Sequence, residues 1–180
     1  LGQGQIGRAM QDDLDDAMDW AVAQGIADAK RVCVVGSSYG GYAALWAVIR
    51  NPERYRCAAS FAGVTDWKRQ LKYASGFLAP KGKRKWRARV LGDNDKFDLD
   101  LVSPVAQAAR LTRPVLLTHG DADTTVPFRQ FKAFEAATAK SGLVETAVFA
   151  DEGHGFDKPE DETLWYDRLE TFLKKHNPAD

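Results

Sequence analysis

A glycine-rich turn between an apolar run and a mostly apolar helical segment constrains the possible fold of this chain more than any other sequence feature. Residues 31–36 form a short apolar run that is rich in β-branched side chains, which is typical of a central parallel strand covered on both faces. Residues 42–50 are predicted to form a helix that ends before Pro52, because proline disfavours helical geometry in the residue that precedes it. The segment that joins them reads Gly36-Ser37-Ser38-Tyr39-Gly40-Gly41.

The same alternation of strand and helix continues along the chain. Further strands are predicted at residues 57–62, 114–119 and 145–150. Helices are predicted at residues 8–24, around 131–137, at 162–175, and in a short stretch capped by Ser103-Pro104. Residues 65–101 are irregular by periodicity and are expected to contain helical fragments. This order predicts an α/β fold, with a parallel sheet and helices on both of its faces, in a single domain over residues 1–180.

Composition narrows the classes of protein that this chain can represent. Of 180 residues, 44% are hydrophobic, and 25 basic side chains balance 25 acidic ones. Such a chain is expected to be globular rather than disordered, and its zero net charge gives no overall attraction to nucleic acid or to an anionic membrane. No run of 18 apolar residues is present. A basic cluster is predicted to be a solvated surface: Lys81, Lys83, Arg84, Lys85, Arg87 and Arg89.

The two cysteines, Cys33 and Cys57, lie in or beside apolar runs. They are predicted to be buried and unpaired, because free thiols behave as small hydrophobic groups. A disulfide between them remains an open alternative, and the cellular compartment stays undecided between cytoplasm and periplasm.

Ser38 is the candidate nucleophile. It occupies the centre of a G-x-S-x-G motif directly between a predicted strand and a predicted helix, the context in which a strained turn lifts a serine hydroxyl away from the sheet. The alternative is a glycine- and serine-rich loop that holds an anion at a helix N-terminus.

A serine nucleophile requires a base and an acid, and two later loops supply them. Asp123 follows the third predicted strand and His154 follows the fourth, in the order serine, acid, histidine that is typical of α/β-hydrolases. All three lie at carboxyl ends of parallel strands, where open α/β sheets place their active sites. No metal or cofactor is expected, because histidines and cysteines are not clustered at ligand spacing.

Three other residues compete for these roles. His119 precedes the acid loop at the end of a strand and is interpreted as a structural histidine. His176 lies in the tail and is expected to be solvated, and Asp121 is the rival acid.

At these loops the sequence resembles the prolyl oligopeptidase family, which includes acylaminoacyl peptidases and dipeptidyl peptidases. The resemblance extends over nearly the whole chain and rests on Gly36-Ser37-Ser38-Tyr39-Gly40-Gly41-Tyr42, His119-Gly120-Asp121-Ala122-Asp123-Thr124-Thr125-Val126-Pro127 and Glu152-Gly153-His154-Gly155-Phe156. It implies an α/β-hydrolase fold, and it selects Asp123 over Asp121, since the family's acid lies four residues after the first histidine.

The resemblance also implies residues that bind the substrate. The backbone N–H of Tyr39 is expected to contribute to the oxyanion hole, and the Tyr39 ring to border the pocket for the residue before the scissile bond. Val64, Trp67 and Val126 are expected to line the same pocket, with an apolar core role as the alternative for the two valines.

Departures from the family pattern indicate what the chain lacks. The family's domain has further strands upstream, which supply a second oxyanion donor, and a β-propeller usually precedes it; neither is recognisable here. The chain is therefore expected to be N-terminally truncated, with residues 32–35 at a sheet edge. Its expected partners are a short peptide substrate and either the missing strands of its own full-length chain or a second copy, rather than nucleic acid or a membrane.

The resulting hypothesis is a serine peptidase that acts on short peptides through an acyl-enzyme on Ser38. Two alternatives remain open. One is a carboxylesterase with the same triad, because a triad does not reveal the leaving group. The other is a catalytically incomplete half-domain that needs its missing strands.

Overall fold

The computed structural model describes residues 2–93 and 96–178. Four strands and six α-helices alternate within these ranges. The strands are β1 (Cys33–Ser37), β2 (Cys57–Phe61), β3 (Val115–Gly120) and β4 (Val144–Phe149). The helices are α1 (Ala9–Ala23), α2 (Tyr39–Arg50), α3 (Trp67–Gly76), α4 (Pro80–Leu91), α5 (Arg129–Thr138) and α6 (Pro159–His176). All four predicted strands are confirmed, with bounds shifted by one or two residues.

The strands form one parallel sheet in the order β1-β2-β3-β4. Successive residues of the central strands face opposite sides. Ala58, Val115 and Leu117 belong to the cluster that α2 and α5 complete. Cys57, Ala59 and Leu116 instead pack with Phe172 of α6 on the other side. Helices therefore cover both faces, and the predicted α/β-hydrolase architecture is confirmed for the described residues.

Strand β1 differs from the buried central strand that its sequence suggests. Among the described residues it pairs with β2 alone, and Val35 is 41% exposed. An apolar run is buried on both faces only when its neighbours cover it, and here it forms one edge of the sheet. The expectation of a central, fully covered strand is wrong within this part of the chain, and the expectation of an edge is confirmed.

The prediction that the two cysteines are unpaired is wrong, because they form a disulfide. Cys33 and Cys57 are register partners on adjacent parallel strands, with Cα atoms 4.7 Å apart, within the range that a disulfide spans. Cys57 is buried, as expected, and Cys33 is partly buried. Pairing depends on the register between two strands, which the separate apolar runs do not specify.

Helix α1 packs through a face that only partly matches its apolar periodicity, since Met10 and Met18 contact the core as the pattern indicates but other apolar positions do not. Its buried residues are Gln11 and Asp15, whereas Leu14 is 41% and Trp20 61% exposed. The Asp15 carboxylate accepts hydrogen bonds from Tyr55 Oη and Asn51 Nδ2, each at 2.6 Å. These two bonds compensate the cost of burying the charge, which would be high for an unpaired carboxylate.

The segment expected to be irregular with helical fragments contains two regular helices, α3 and α4. Asp66 caps α3 by accepting a hydrogen bond from the Arg69 N–H, and Pro80 begins α4. In α4 only Val90 and Leu91 are buried, so no apolar stripe marks this helix in the sequence.

No α-helix begins at Ser103, which corrects the short helix predicted there. Its hydroxyl instead donates to the Leu99 carbonyl and accepts from the Trp67 N–H. The structure has turns and short 3₁₀ segments around it. In the described part of the chain, no helix has the length and apolar character needed to cross a bilayer.

Candidate active site

The turn between β1 and α2 holds Ser38 in an unusual backbone conformation, with φ 57° and ψ −120°. Such left-handed geometry is rare for a residue other than glycine and often marks a functional site. The Ser38 N–H donates to the Phe61 carbonyl of β2 at 2.9 Å, which anchors the turn to the sheet. The serine side chain is thereby presented at the N-terminus of α2.

The glycines around Ser38 are not equivalent. A Cβ atom on Gly36 would lie 2.4 Å from the backbone of Gly40, and one on Gly41 would lie 2.8 Å from the Phe61 carbonyl oxygen. A Cβ on Gly40 would meet nothing within 4 Å. Steric crowding therefore requires glycine at positions 36 and 41, whereas position 40 has space for a Cβ atom.

The structure brings the three predicted catalytic residues together. Ser38 Oγ lies 2.8 Å from His154 Nε2, and His154 Nδ1 lies 2.7 Å from Asp123 Oδ2. Ser38 follows β1, Asp123 follows β3 and His154 follows β4, so one edge of the parallel sheet supplies all three. The His154 side chain is 26% exposed, so the imidazole is partly accessible to solvent.

Asp123 is held in its ionised form. Burial alone would raise its pKa, but this is outweighed by hydrogen bonds from His119, His154 and the N–H groups of Val126 and Thr125, so the pKa lies well below its usual value. The two backbone N–H groups are 2.9 and 2.7 Å from Oδ1. A fixed carboxylate of this kind orients the imidazole and stabilises its protonated form.

The rival residues occupy other positions. His119 is buried, and its Nε2 lies 2.8 Å from the Val126 carbonyl oxygen and 3.3 Å from Asp123 Oδ2, behind the acid. Asp121 is exposed and accepts from the Asp151 N–H. His176 is only partly buried rather than solvated, and its Nε2 contacts Glu145 Oε1 at 3.0 Å.

Two residues missed by the sequence analysis hold the loop that carries His154. The buried Glu152 carboxylate accepts from the N–H groups of Asp157 and Lys158, at 2.7 and 3.0 Å, and these bonds lower its pKa. Phe156 packs on Phe61, with ring centroids 4.6 Å apart. The only available sequence signal was their position in the histidine motif.

A cavity of about 930 Å³ opens beside Ser38. Its lining includes every residue that the resemblance implied for substrate binding: Tyr39, Val64, Trp67 and Val126. The Tyr39 ring lies 6.1 Å from the Trp67 ring, and burial raises the pKa of Tyr39 to about 12, so its hydroxyl stays neutral. The Tyr39 N–H is the first of α2, a position that has no intrahelical acceptor.

Gln130 positions the cavity wall that Val64 and Trp67 form. Its side-chain oxygen accepts from the N–H groups of Thr65 and Asp66, at 3.0 and 2.7 Å, and its nitrogen donates to the Asp66 carbonyl. This buried amide is a polar residue on the apolar face of α5, which is the signal that could have revealed it.

Helix α4 contributes another wall that the sequence analysis did not foresee. Lys85, Trp86, Ala88 and Arg89 line the cavity, so part of the basic cluster faces the candidate active site rather than solvent alone. Within residues 2–93 and 96–178, no group of three or more His, Cys, Asp or Glu side chains is placed to hold a metal ion.

Comparison with known proteins identifies the family to which the chain belongs. The chain matches the Prolyl oligopeptidase family over residues 1–178. It belongs to that family. The chain is similar to dipeptidyl aminopeptidase BIII of Pseudoxanthomonas mexicana, which is 33% identical over 96% of this chain and 25% of its own length. Dipeptidyl peptidase family member 6 of Caenorhabditis elegans is 31% identical over 97% of this chain and 24% of its own length.

A protein of known structure has the same fold. The puromycin-hydrolyzing peptidase of Mycobacterium tuberculosis superposes with a TM-score of 0.87 over 99% of this chain and 27% of its own, at 24% identity. The chain thus spans about a quarter of the length of each of these relatives.

Proposed function

We propose that this chain carries the nucleophile, base and acid of a serine peptidase that hydrolyses peptide bonds in short peptides. The observation that supports this most directly is the continuous hydrogen-bonded series from Ser38 Oγ through His154 to Asp123. Membership of a peptidase family favours an amide as the bond that is cleaved.

The proposed reaction begins with acyl transfer to the serine. His154 Nε2 takes the Ser38 hydroxyl proton while Oγ forms a bond to the substrate carbonyl carbon. The Tyr39 N–H stabilises the resulting oxyanion, and the C–N bond breaks as His154 returns the proton to the amine. Asp123 holds the tautomer in which Nδ1 is protonated and Nε2 is free to accept.

Water then releases the acyl group. His154 takes a proton from water, the hydroxide oxygen attacks the ester carbonyl, and the proton returns to Ser38 Oγ as the carboxylic acid product leaves. Each step uses groups of this chain and water alone.

The test is covalent labelling with a fluorophosphonate, followed by intact-mass analysis. We expect one adduct on the wild-type chain, none on Ser38→Ala, and an unchanged adduct on Ser37→Ala, because Ser37 is the adjacent exposed serine. Labelling that persists in Ser38→Ala would contradict the assignment of the nucleophile. Absence of labelling in the wild-type chain would favour the incomplete half-domain.

A paired substrate assay separates the peptidase from the carboxylesterase. The same acyl group is presented as a peptide amide and as a simple ester. We expect both to be cleaved. Turnover of the ester without any cleavage of the amide would reject the peptidase and leave the serine mechanism in place.

A further inference from the structure

Two cations of α4 lie on the wall of the cavity that contains Ser38. Lys85 and Arg89 are four residues apart, so they share one face of the helix, and both belong to the cavity lining. Both are exposed, whereas Trp86, next to Lys85 on the same wall, is partly buried. The two charges therefore remain in contact with solvent and with anything that enters the cavity.

No carboxylate of the lining balances these charges. The residues that line the cavity include Lys85 and Arg89 but neither aspartate nor glutamate. The acid of the candidate triad, Asp123, has a side chain with no exposed surface, and its carboxylate contacts His154 Nδ1. Among described residues, the lining therefore carries two positive charges and no negative one.

Two basic residues of the neighbouring helix α3 are neutralised locally. Lys68 pairs with Asp98 and Asp100, and Arg69 pairs with Asp66. Lys85 and Arg89 form no such ion pair with any carboxylate in the ranges that the structure describes. Lys85 and Arg89 thus differ from Lys68 and Arg69 in lacking a carboxylate partner.

A third donor on this wall also lacks an acceptor. The buried indole Nε1 of Trp86 has no hydrogen-bond partner among the described residues. Buried polar groups in proteins are nearly always hydrogen-bonded, so this indole N–H is an exception. Because the atom has almost no exposed surface, it does not donate to anything that enters the cavity.

We propose that Lys85 and Arg89 make this cavity selective for peptides that carry a carboxylate. Lysine and arginine bind carboxylates through charge-assisted hydrogen bonds, and arginine does so with two parallel N–H donors. The carboxylate comes from an acidic side chain or from a free C-terminus of the peptide. This specificity rests on the proposed function, because it assigns a substrate class to the Ser38 cavity.

The test measures binding to the inactive Ser38→Ala variant, so that no turnover is required. The probes are acetylated alanine tetrapeptides with a single Glu or Gln at each successive position, each with a free or amidated C-terminus. Trp67 and Trp86 line the cavity, so their fluorescence reports occupancy, with calorimetry as a second readout. We expect the Glu peptide to bind about three- to tenfold more tightly than its Gln counterpart at one position, or the free acid more tightly than the amide by the same factor.

Matched variants assign the effect to the two residues. Lys85→Gln with Arg89→Gln is expected to abolish the preference for the carboxylate. Lys83→Gln with Arg84→Gln removes the same charge from exposed positions of α4 outside the cavity lining and is expected to preserve it. The wild-type preference should also shrink between about 50 mM and about 500 mM salt, which tests the charge without any substitution.

Each source of the carboxylate has its own outcome. A Glu-over-Gln difference that survives amidation identifies a side chain, and a difference between acid and amide alone identifies the C-terminus. Equal or absent binding of charged and neutral peptides, or a preference that the cavity-facing variant retains, would overturn this inference. Fluorophosphonate labelling of the wild-type chain would still support the serine mechanism in that case.

Discussion

At the residue scale, two aspartates separated by one position lie in different environments. The Asp123 side chain is fully enclosed and accepts hydrogen bonds from two backbone N–H groups and from His154. Asp121 lies on the surface and accepts only from the Asp151 N–H among the contacts described. Position relative to the strand end, rather than residue type, decides which carboxylate can orient the imidazole.

This difference predicts that replacing aspartate with asparagine has a large effect at position 123 and a small effect at position 121. Asp123→Asn should lower the rate of fluorophosphonate labelling by about ten-thousandfold, because an amide favours the wrong imidazole tautomer. Asp121→Asn, as the matched control, should change the rate by less than about threefold, since the group does not touch His154. Both rates are measured by intact-mass analysis of samples that are quenched at successive times. Similar losses in the two variants would contradict the choice of Asp123.

The lowered pKa of Asp123 predicts an acid-sensitive contribution to stability. The folded state binds the proton more weakly than the unfolded chain, whose value is near 3.8, so the stabilisation is fully present above that pH and is lost as pH falls below it. The free energy of unfolding should therefore fall more steeply for wild type than for Asp123→Asn between about pH 5 and about pH 3. Urea unfolding at the two pH values measures this. Parallel slopes would show that Asp123 does not contribute.

At the element scale, the sequence predicted those parts of the fold that local patterns encode. Four apolar runs located the strands, and short motifs at three strand ends located Ser38, Asp123 and His154. Helix α4 was expected only as an unlocated helical fragment, because its sequence shows no apolar stripe, although Lys85 and Arg89 reach the cavity from it. Such contacts depend on how elements pack together, which periodicity within one segment does not specify.

The disulfide between β1 and β2 gives a prediction at the same scale. Closing the 24-residue separation between Cys33 and Cys57 restricts the unfolded chain, which corresponds to roughly 3 kcal/mol of stabilisation. Cys33→Ser with Cys57→Ser should lower the free energy of unfolding in urea by about that amount. A reductant should destabilise the wild-type chain and leave the double variant unchanged. Equal stability of the oxidised and double-variant forms would show that the bond does not stabilise the fold.

At the scale of the whole molecule, the two outer strands of the sheet differ in character. Strand β4 carries Glu145, whose Oε1 forms an ion pair with Lys175 Nζ at 2.8 Å. Charged side chains on an edge strand discourage the addition of another strand. Strand β1 has no charged residue, and its Val35 is exposed. We propose that β1 pairs with a further strand, supplied by another segment of its own polypeptide or by a second copy.

Self-association of this chain through β1 is the measurable consequence. Light scattering after size-exclusion chromatography should show a mass that rises with concentration. Val35→Lys should suppress the rise, because an exposed charge blocks strand pairing. Val148→Lys places the same charge on β4, where the wild-type residue is 44% exposed, and should have little effect. A monomer at every concentration, or equal suppression by both variants, would contradict pairing through β1.

The bond between Cys33 and Cys57 also has a topological meaning. Together with the backbone from 33 to 57, it forms a closed covalent ring that contains Ser38 and all of α2. A single protease cut anywhere inside that ring opens it without producing two separate molecules. After a cut between Ser38 and Cys57, the fragment that bears the serine would stay tethered to the fragment that bears Asp123 and His154, so nicked protein would migrate as one species until it is reduced.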